Sequence, residues 1–157
     1  MTRPPENVAD YPRPPRLERF DGTLQIVFGG TMIAQTREAW RVMETFHPPT
    51  YYLPPAAFAD GALRSVPGSS MCEWKGSAAY FDIDAGGKTA NRAAWCYPRP
   101  TQAFRPIADF VSVYAEPMDE CRVDGEIVTP QPGNFYGGWV TSWVTGPIKG
   151  APGTTHW

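Results

Sequence analysis

Eighteen prolines and fifteen glycines are scattered along the 157 residues so evenly that no stretch carries a long helical period. Proline removes a backbone donor and breaks a helix interior, and glycine there costs about 1 kcal/mol relative to alanine. Short strands joined by tight turns are what such a chain can still form, so the pattern predicts an all-β protein. Turn chemistry then locates the hairpins. In TLQIVFGGTMIAQT, alternating Leu24, Ile26 and Phe28 run into Gly29-Gly30 and on to Met32 and Ala34, the strongest hairpin signal in the chain. SAAYFDIDAGGKTANRAAW reads as two strands around Ala85-Gly86-Gly87, and CRVDGEIVT as a hairpin whose Asp124-Gly125 suits a type I′ turn. TQAFRPIADFVSVY gives a short helical turn and then a strand from Phe110 to Tyr114. REAWRVMETF allows a turn or two of helix before FHPPTYYLPP stops it, and PAAFADGAL allows one more. About eight short strands are expected in all.

The length fits a single domain with a real core. Residues 1–22, with RPP and PRPPR, read as an extended polyproline arm. Residues 23–130 form the domain proper, and residues 131–157 a Gly-, Pro- and aromatic-rich extension containing Trp139, Trp143 and Trp157. Rings in that number are an aggregation hazard in water, so the extension is expected to wrap its own domain or a neighbouring subunit. A formal charge of −2 with no block of either sign argues against a nucleic-acid partner. The apolar runs fall short of the roughly 20 residues a membrane helix needs. MTRPPENVAD does not read as a secretion signal, and a cytoplasmic location is expected. Cys72, Cys96 and Cys121 are too few and too widely spaced for a disulfide framework or a zinc knuckle, so free thiols, no metal and no cofactor are expected.

LQIVFGGTMIAQTREAWRVMETFHPPTYYLP, CEWKGSAAYFDI, NRAAWCYPRP and RVDGEIV agree in order and spacing with a known family. Over residues 23–128 the chain resembles the bacterial and fungal family called domain of unknown function 427, which also carries a nucleotidyltransferase label; the extension resembles that of a longer branch. The resemblance implies a β-tent, two antiparallel sheets meeting at an angle, similar to the ligand-binding domain of cereblon and to methionine sulfoxide reductase B. It implies little about activity. The Gly-Ser pair at 68–69 is not followed by the carboxylates that would hold a nucleotidyltransferase's metal, and the zinc-binding cysteine pairs of the reductases are missing.

The blocks carrying the resemblance are rich in rings. Tyr51, Tyr52, Trp74, Tyr80, Trp95 and Tyr97 accompany a few polar residues, Glu44, Lys75, Asn91 and Arg92. Relatives of β-tent type place their pocket where the sheets open, which makes Tyr52, Cys72, Lys75, Tyr80 and Trp95 the candidate ligand-binding residues. Rings around one or two hydrogen-bonding groups suit a flat or cationic small molecule. The bland reading of the same rings is core packing. Cys72 three positions before Lys75 is either an activated thiol or a small apolar residue ending a strand, and no neighbouring base favours the first. His47, fixed by Pro48 and Pro49, is a structural hydrogen-bonding group or a base, and His156 is a solvated residue near the C-terminus. The function expected is a small-molecule or modified-residue binding module; the competing classes are an uncharacterised enzyme acting through the Cys72/Lys75 region and a structural homo-oligomer subunit that exchanges its terminal segments.

Overall fold

The computed structural model describes residues 3–72, 74–133 and 136–151. It is all-β. In chain order the strands are β1 (Glu6–Asn7), β2 (Arg16–Phe20), β3 (Leu24–Phe28), β4 (Thr31–Thr36), β5 (Ala39–Met43) and β6 (Thr50–Tyr52). They continue as β7 (Leu63–Cys72), β8 (Gly76–Ala85), β9 (Lys88–Cys96), β10 (Val111–Val113), β11 (Glu120–Val123) and β12 (Glu126–Ile127). The short pieces β13 (Thr129–Pro130), β14 (Trp139–Val140) and β15 (Val144–Thr145) complete the set. Two four-stranded antiparallel sheets run β10-β9-β8-β7 and β12-β11-β3-β4, and a three-stranded antiparallel sheet runs β2-β5-β6. Among the described residues no sheet closes into a barrel, and no helix is long and apolar enough to cross a membrane.

The hairpins form where turn chemistry placed them. Gly29 and Gly30 take φ of 61° and 75°, and Asp124 and Gly125 take 50° and 84°, the left-handed pair a two-residue I′ turn requires. Alternation sets the faces: Leu24, Ile26 and Phe28 are buried while Gln25 and Val27 are only half so. The helical turn expected at 102–107 is a 3-10 helix, Gln102–Ile107, and a second short one, Pro55–Ala57, lies within PAAFADGAL.

The segment around Trp40 departs from expectation. The helix read into REAWRVMETF is replaced by β5, paired on one side with β2 and on the other with β6. A helix of that length is marginal in water on its own, whereas a central strand hydrogen-bonds along both edges. It also seats Arg41, which is 7% exposed, between Glu6 and Glu18: Nη1 and Nη2 donate to the Glu6 oxygens at 2.9 Å, and Nη2 donates to Glu18 Oε1 at 2.6 Å. The same pairing draws Arg16–Phe20, placed in the extended arm by sequence, into a sheet. Further upstream, Glu6–Asn7 pairs in parallel with Val144–Thr145.

The main core gathers Leu24, Ile26, Ile33, Tyr51, Val111 and Trp139. Trp139 is 1% exposed, its indole N–H donates to Val113 O at 3.0 Å, and its ring lies 5.4 Å from Tyr51. Trp139, from the extension, is therefore part of this chain's own core. A second cluster of Val42, Tyr52, Trp95, Tyr97, Phe104 and Ile107 lies apart from the first and floors the candidate site.

Candidate functional site

The β7–β8 hairpin presents Cys72 at the end of β7 and Trp74 and Lys75 in its turn. Thr101 fixes that turn from outside: its N–H donates to Lys75 O at 3.0 Å and its hydroxyl to Trp74 O at 2.6 Å. β6 brings Tyr52, β8 brings Tyr80 and β9 brings Trp95. From beyond residue 130, Gln131, Tyr136, Gly137 and Lys149 join them. Together these residues line an open cavity of about 270 Å³. All five sequence candidates, Tyr52, Cys72, Lys75, Tyr80 and Trp95, line it, as do Trp74, Tyr97, Glu44 and His47.

Tyr52 is buried at the floor, and its ring lies 6.4 Å from that of Tyr97. Burial pushes both phenols up, an effect that hydrogen bonding from Trp95 only partly counters. Trp95 is 8% exposed and stands 4.5 Å, ring to ring, from Tyr114. The pocket and core readings of Trp95 thus meet in one residue, because its ring is at once a cavity wall and part of the second cluster. Tyr80 is half-buried and shares a 2.6 Å hydrogen bond with the Ser70 hydroxyl. The Lys75 ammonium lies 5.8 Å and 5.9 Å from the ring centres of Tyr97 and Phe104, a cation–π placement, with no carboxylate partner among the described residues.

The polar wall is organised by Gln131, which is 3% exposed. Its Oε1 accepts from Gly138 N at 3.1 Å, so its Nε2 faces the other way and donates to Lys149 O at 2.9 Å and to His47 Nδ1 at 3.1 Å. With Nδ1 accepting, the neutral imidazole carries its proton on Nε2, 3.9 Å from Glu44 Oε2. Burial pushes His47 down to about 4, and the charges of Lys149, Arg13 and Lys75 add to the effect. At neutral pH the site therefore holds a neutral imidazole, and the side chains of Lys75, Lys149 and Glu44 line the same cavity.

Other candidates lie elsewhere. Tyr51 points into the main core, 5.0 Å from Phe20. Asn91 and Arg92 line an adjoining cavity of about 660 Å³, which shares Tyr80, Tyr114, Gln131, Tyr136 and Gly137 with the first. Trp143 is buried and lies under the Arg41 guanidinium. His156 and Trp157 lie outside the described residues. Of the three free thiols, Cys72 is half-buried in the cavity wall; burial pushes Cys96 up to about 11 and raises Cys121 further. Tyr114, Gln131, Tyr136 and Lys149 went unread in the sequence. Three of these stand beyond residue 130, and their one signal was the Gly- and ring-rich composition that marked the extension as a wrapping segment. Among the described residues no three His, Cys, Asp or Glu side chains gather where they would hold a metal.

The fold defines an all-β domain, with a cavity whose lining includes Gln131, Tyr136 and Gly137 from the C-terminal part of the chain. The family model described as "Domain of unknown function (DUF427)" matches residues 16–124, more than half of the chain, and the chain belongs to that family. The match begins where β2 begins and ends before Gln131, so that C-terminal part lies beyond it. No curated protein matches the chain.

Proposed function

We propose that this is a cytoplasmic small-molecule binding module that takes a flat, ring-bearing ligand into the cavity lined by Tyr52, Cys72, Lys75, Tyr80 and Trp95. One observation carries the reading: residues far apart in sequence surround a single cavity with rings, and an ammonium in its wall has no carboxylate partner among the described residues. A cavity of about 270 Å³ sits just under the roughly 300–1,000 Å³ of ordinary ligand sites, which suits one ring system or a small fused one. Each good ring contact contributes about 0.5–1.5 kcal/mol beyond area burial. Lys75 and Lys149 favour an acceptor-bearing or anionic edge over a cationic one. Three unpaired cysteines suit a reducing compartment. Thiol chemistry at Cys72 has less support, since among the described residues no hydrogen bond or ion pair engages its sulfur.

A thermal-shift screen of ring-bearing metabolites tests this. A ligand at 100 times its dissociation constant adds about 2.7 kcal/mol to folding stability, or roughly 5–10 °C for a chain of this size. Hits are expected to lose most of that protection in Cys72→Phe, whose ring occupies the cavity, and part of it in Lys75→Met. Hits that protect both variants as well as they protect the wild type would place the ligand elsewhere.

A further inference from the structure

Two irregularities in the β10-β9-β8-β7 sheet meet at one side chain. Between the pairs Phe81–Ala94 and Ile83–Ala90, residues 91–93 of β9 stand opposite Asp82 alone. Arg92 occupies that bulge with φ of 48°, a left-handed conformation unusual for a non-glycine residue, and its N–H is held at 2.7 Å by the buried Asp82 carboxylate. On the other side of β8, the pairs Val66–Tyr80 and Ser69–Ala79 leave Pro67 and Gly68 as extra residues in β7. The guanidinium of Arg92 reaches across to this second bulge. Its Nη1 donates to Pro67 O at 3.0 Å, and a Cβ on Gly68 would stand 2.6 Å from the same nitrogen. On the way it lies 4.1 Å above the centre of the Tyr80 ring.

Bulges re-aim side chains, and local backbone strain persists only where its surroundings hold it. Here both bulges and a buried carboxylate serve to set one arginine in the wall of the larger cavity, over Tyr80, a residue that both cavities share. Asp82 pairs with Arg64 at 3.1 Å, while Arg92, an exposed residue that lines the larger cavity beside Asn91, has no carboxylate partner among the described residues. An arginine fork that is oriented, half-satisfied and open to a cavity is the arrangement that recognises carboxylate or phosphate oxygens.

We infer that Arg92 is the anion-binding group of a second subsite, and that the ligand is a flat ring compound carrying a carboxylate or phosphate on a short linker. The ring lies among Tyr52, Trp95 and Tyr114, and the linker passes Tyr80 and Tyr136 into the larger cavity. This rests on the ring-binding reading above, and the test separates the two.

Matched probes differing only in the acidic group, such as 3-ethylindole and indole-3-propionate, or benzyl alcohol and benzyl phosphate, are titrated by intrinsic fluorescence and calorimetry at low and high salt. The quantity read is the ratio of acid to neutral affinity. In the wild type it is expected to be about tenfold at low salt and to shrink as salt screens the pair. Arg92→Gln is expected to bring it close to one, whereas Lys75→Met lowers it only in part. Glu116→Gln, which removes the carboxylate lining the same cavity without touching Tyr80, is expected to raise the affinity of the acids a few-fold. A wild-type ratio near one, or a ratio lost in Lys75→Met and kept in Arg92→Gln, overturns the second subsite while leaving ring binding intact. If neither member of any pair binds, both readings fall. Should Arg92→Gln not fold, unchanged acid affinity in Glu116→Gln overturns the proposal.

Discussion

A methyl group added at Gly137 would run into the benzo edge of Trp95, meeting Cη2 head on and lying 3.0 Å from Cζ3 and 3.1 Å from Cζ2. The ring has little room to retreat, because it is 8% exposed and stands against Tyr114. Gly137→Ala is thus an overpacking substitution, for which about 1–3 kcal/mol is usual. At roughly 2–4 °C per kcal/mol for a chain of this size, the melting temperature should fall by about 2–12 °C. Calorimetry reads it directly. Gly87→Ala is the control: its φ is +78° and nothing lies within 4 Å of the added carbon, so only backbone strain of about 1–2 kcal/mol applies. The mechanism is tested by a double-mutant cycle with Trp95→Phe, which removes the edge that the methyl group meets. The double variant should be less destabilised than the two single costs added together, by at least about 1 kcal/mol. A Gly137→Ala protein that melts within about 1 °C of the wild type, or additive costs in the cycle, would refute the idea that the C-terminal part of the chain rests on the Trp95 ring.

Other expectations follow from the same geometry. His47 is depressed to about 4 in the folded chain against an ordinary 6.5, so the unfolded chain binds more protons between those values. Its stabilising contribution is full above pH 6.5 and is lost as pH falls toward 4; His47→Gln should flatten the melting temperature across that window. For Glu6, burial opposes ionisation, but Arg41 and the Tyr11 hydroxyl outweigh it and hold the carboxyl below its ordinary 4.5. That contribution is present above pH 4.5 and is lost on further acidification, and Glu6→Gln should remove this lower limb of the acid transition. Iodoacetamide at neutral pH should modify half-buried Cys72 well before Cys96 and Cys121, as peptide mapping would show. Cutting the chain after Pro130 removes Trp139 and uncovers Tyr51 and Val113, so aggregation or a collapsed melting transition is expected by light scattering and calorimetry.

Local chemistry was sufficient for the hairpins. Gly29-Gly30 and Asp124-Gly125 accept left-handed backbone at low cost, and alternating Leu24, Ile26 and Phe28 cannot change register without turning the apolar face to water. The family resemblance added the candidate site, since the blocks containing Tyr52, Cys72, Lys75, Tyr80 and Trp95 were recognisable before any geometry, and these residues share one cavity. What the sequence could not reveal depended on partners distant along the chain. Ala39–Met43 has no strong preference of its own and becomes a strand because Arg16–Phe20 and Thr50–Tyr52 flank it and two glutamates hold Arg41. The role of Gln131 exists only once His47, Gly138 and Lys149 surround its amide. The bulges that aim Arg92 leave no mark in a single strand, because a bulge is defined by the neighbour it fails to match. Turns depend on bonds between adjacent residues and can be read locally, while strand pairing, cavity walls and buried hydrogen bonds depend on contacts between residues far apart, which only the tertiary structure decides.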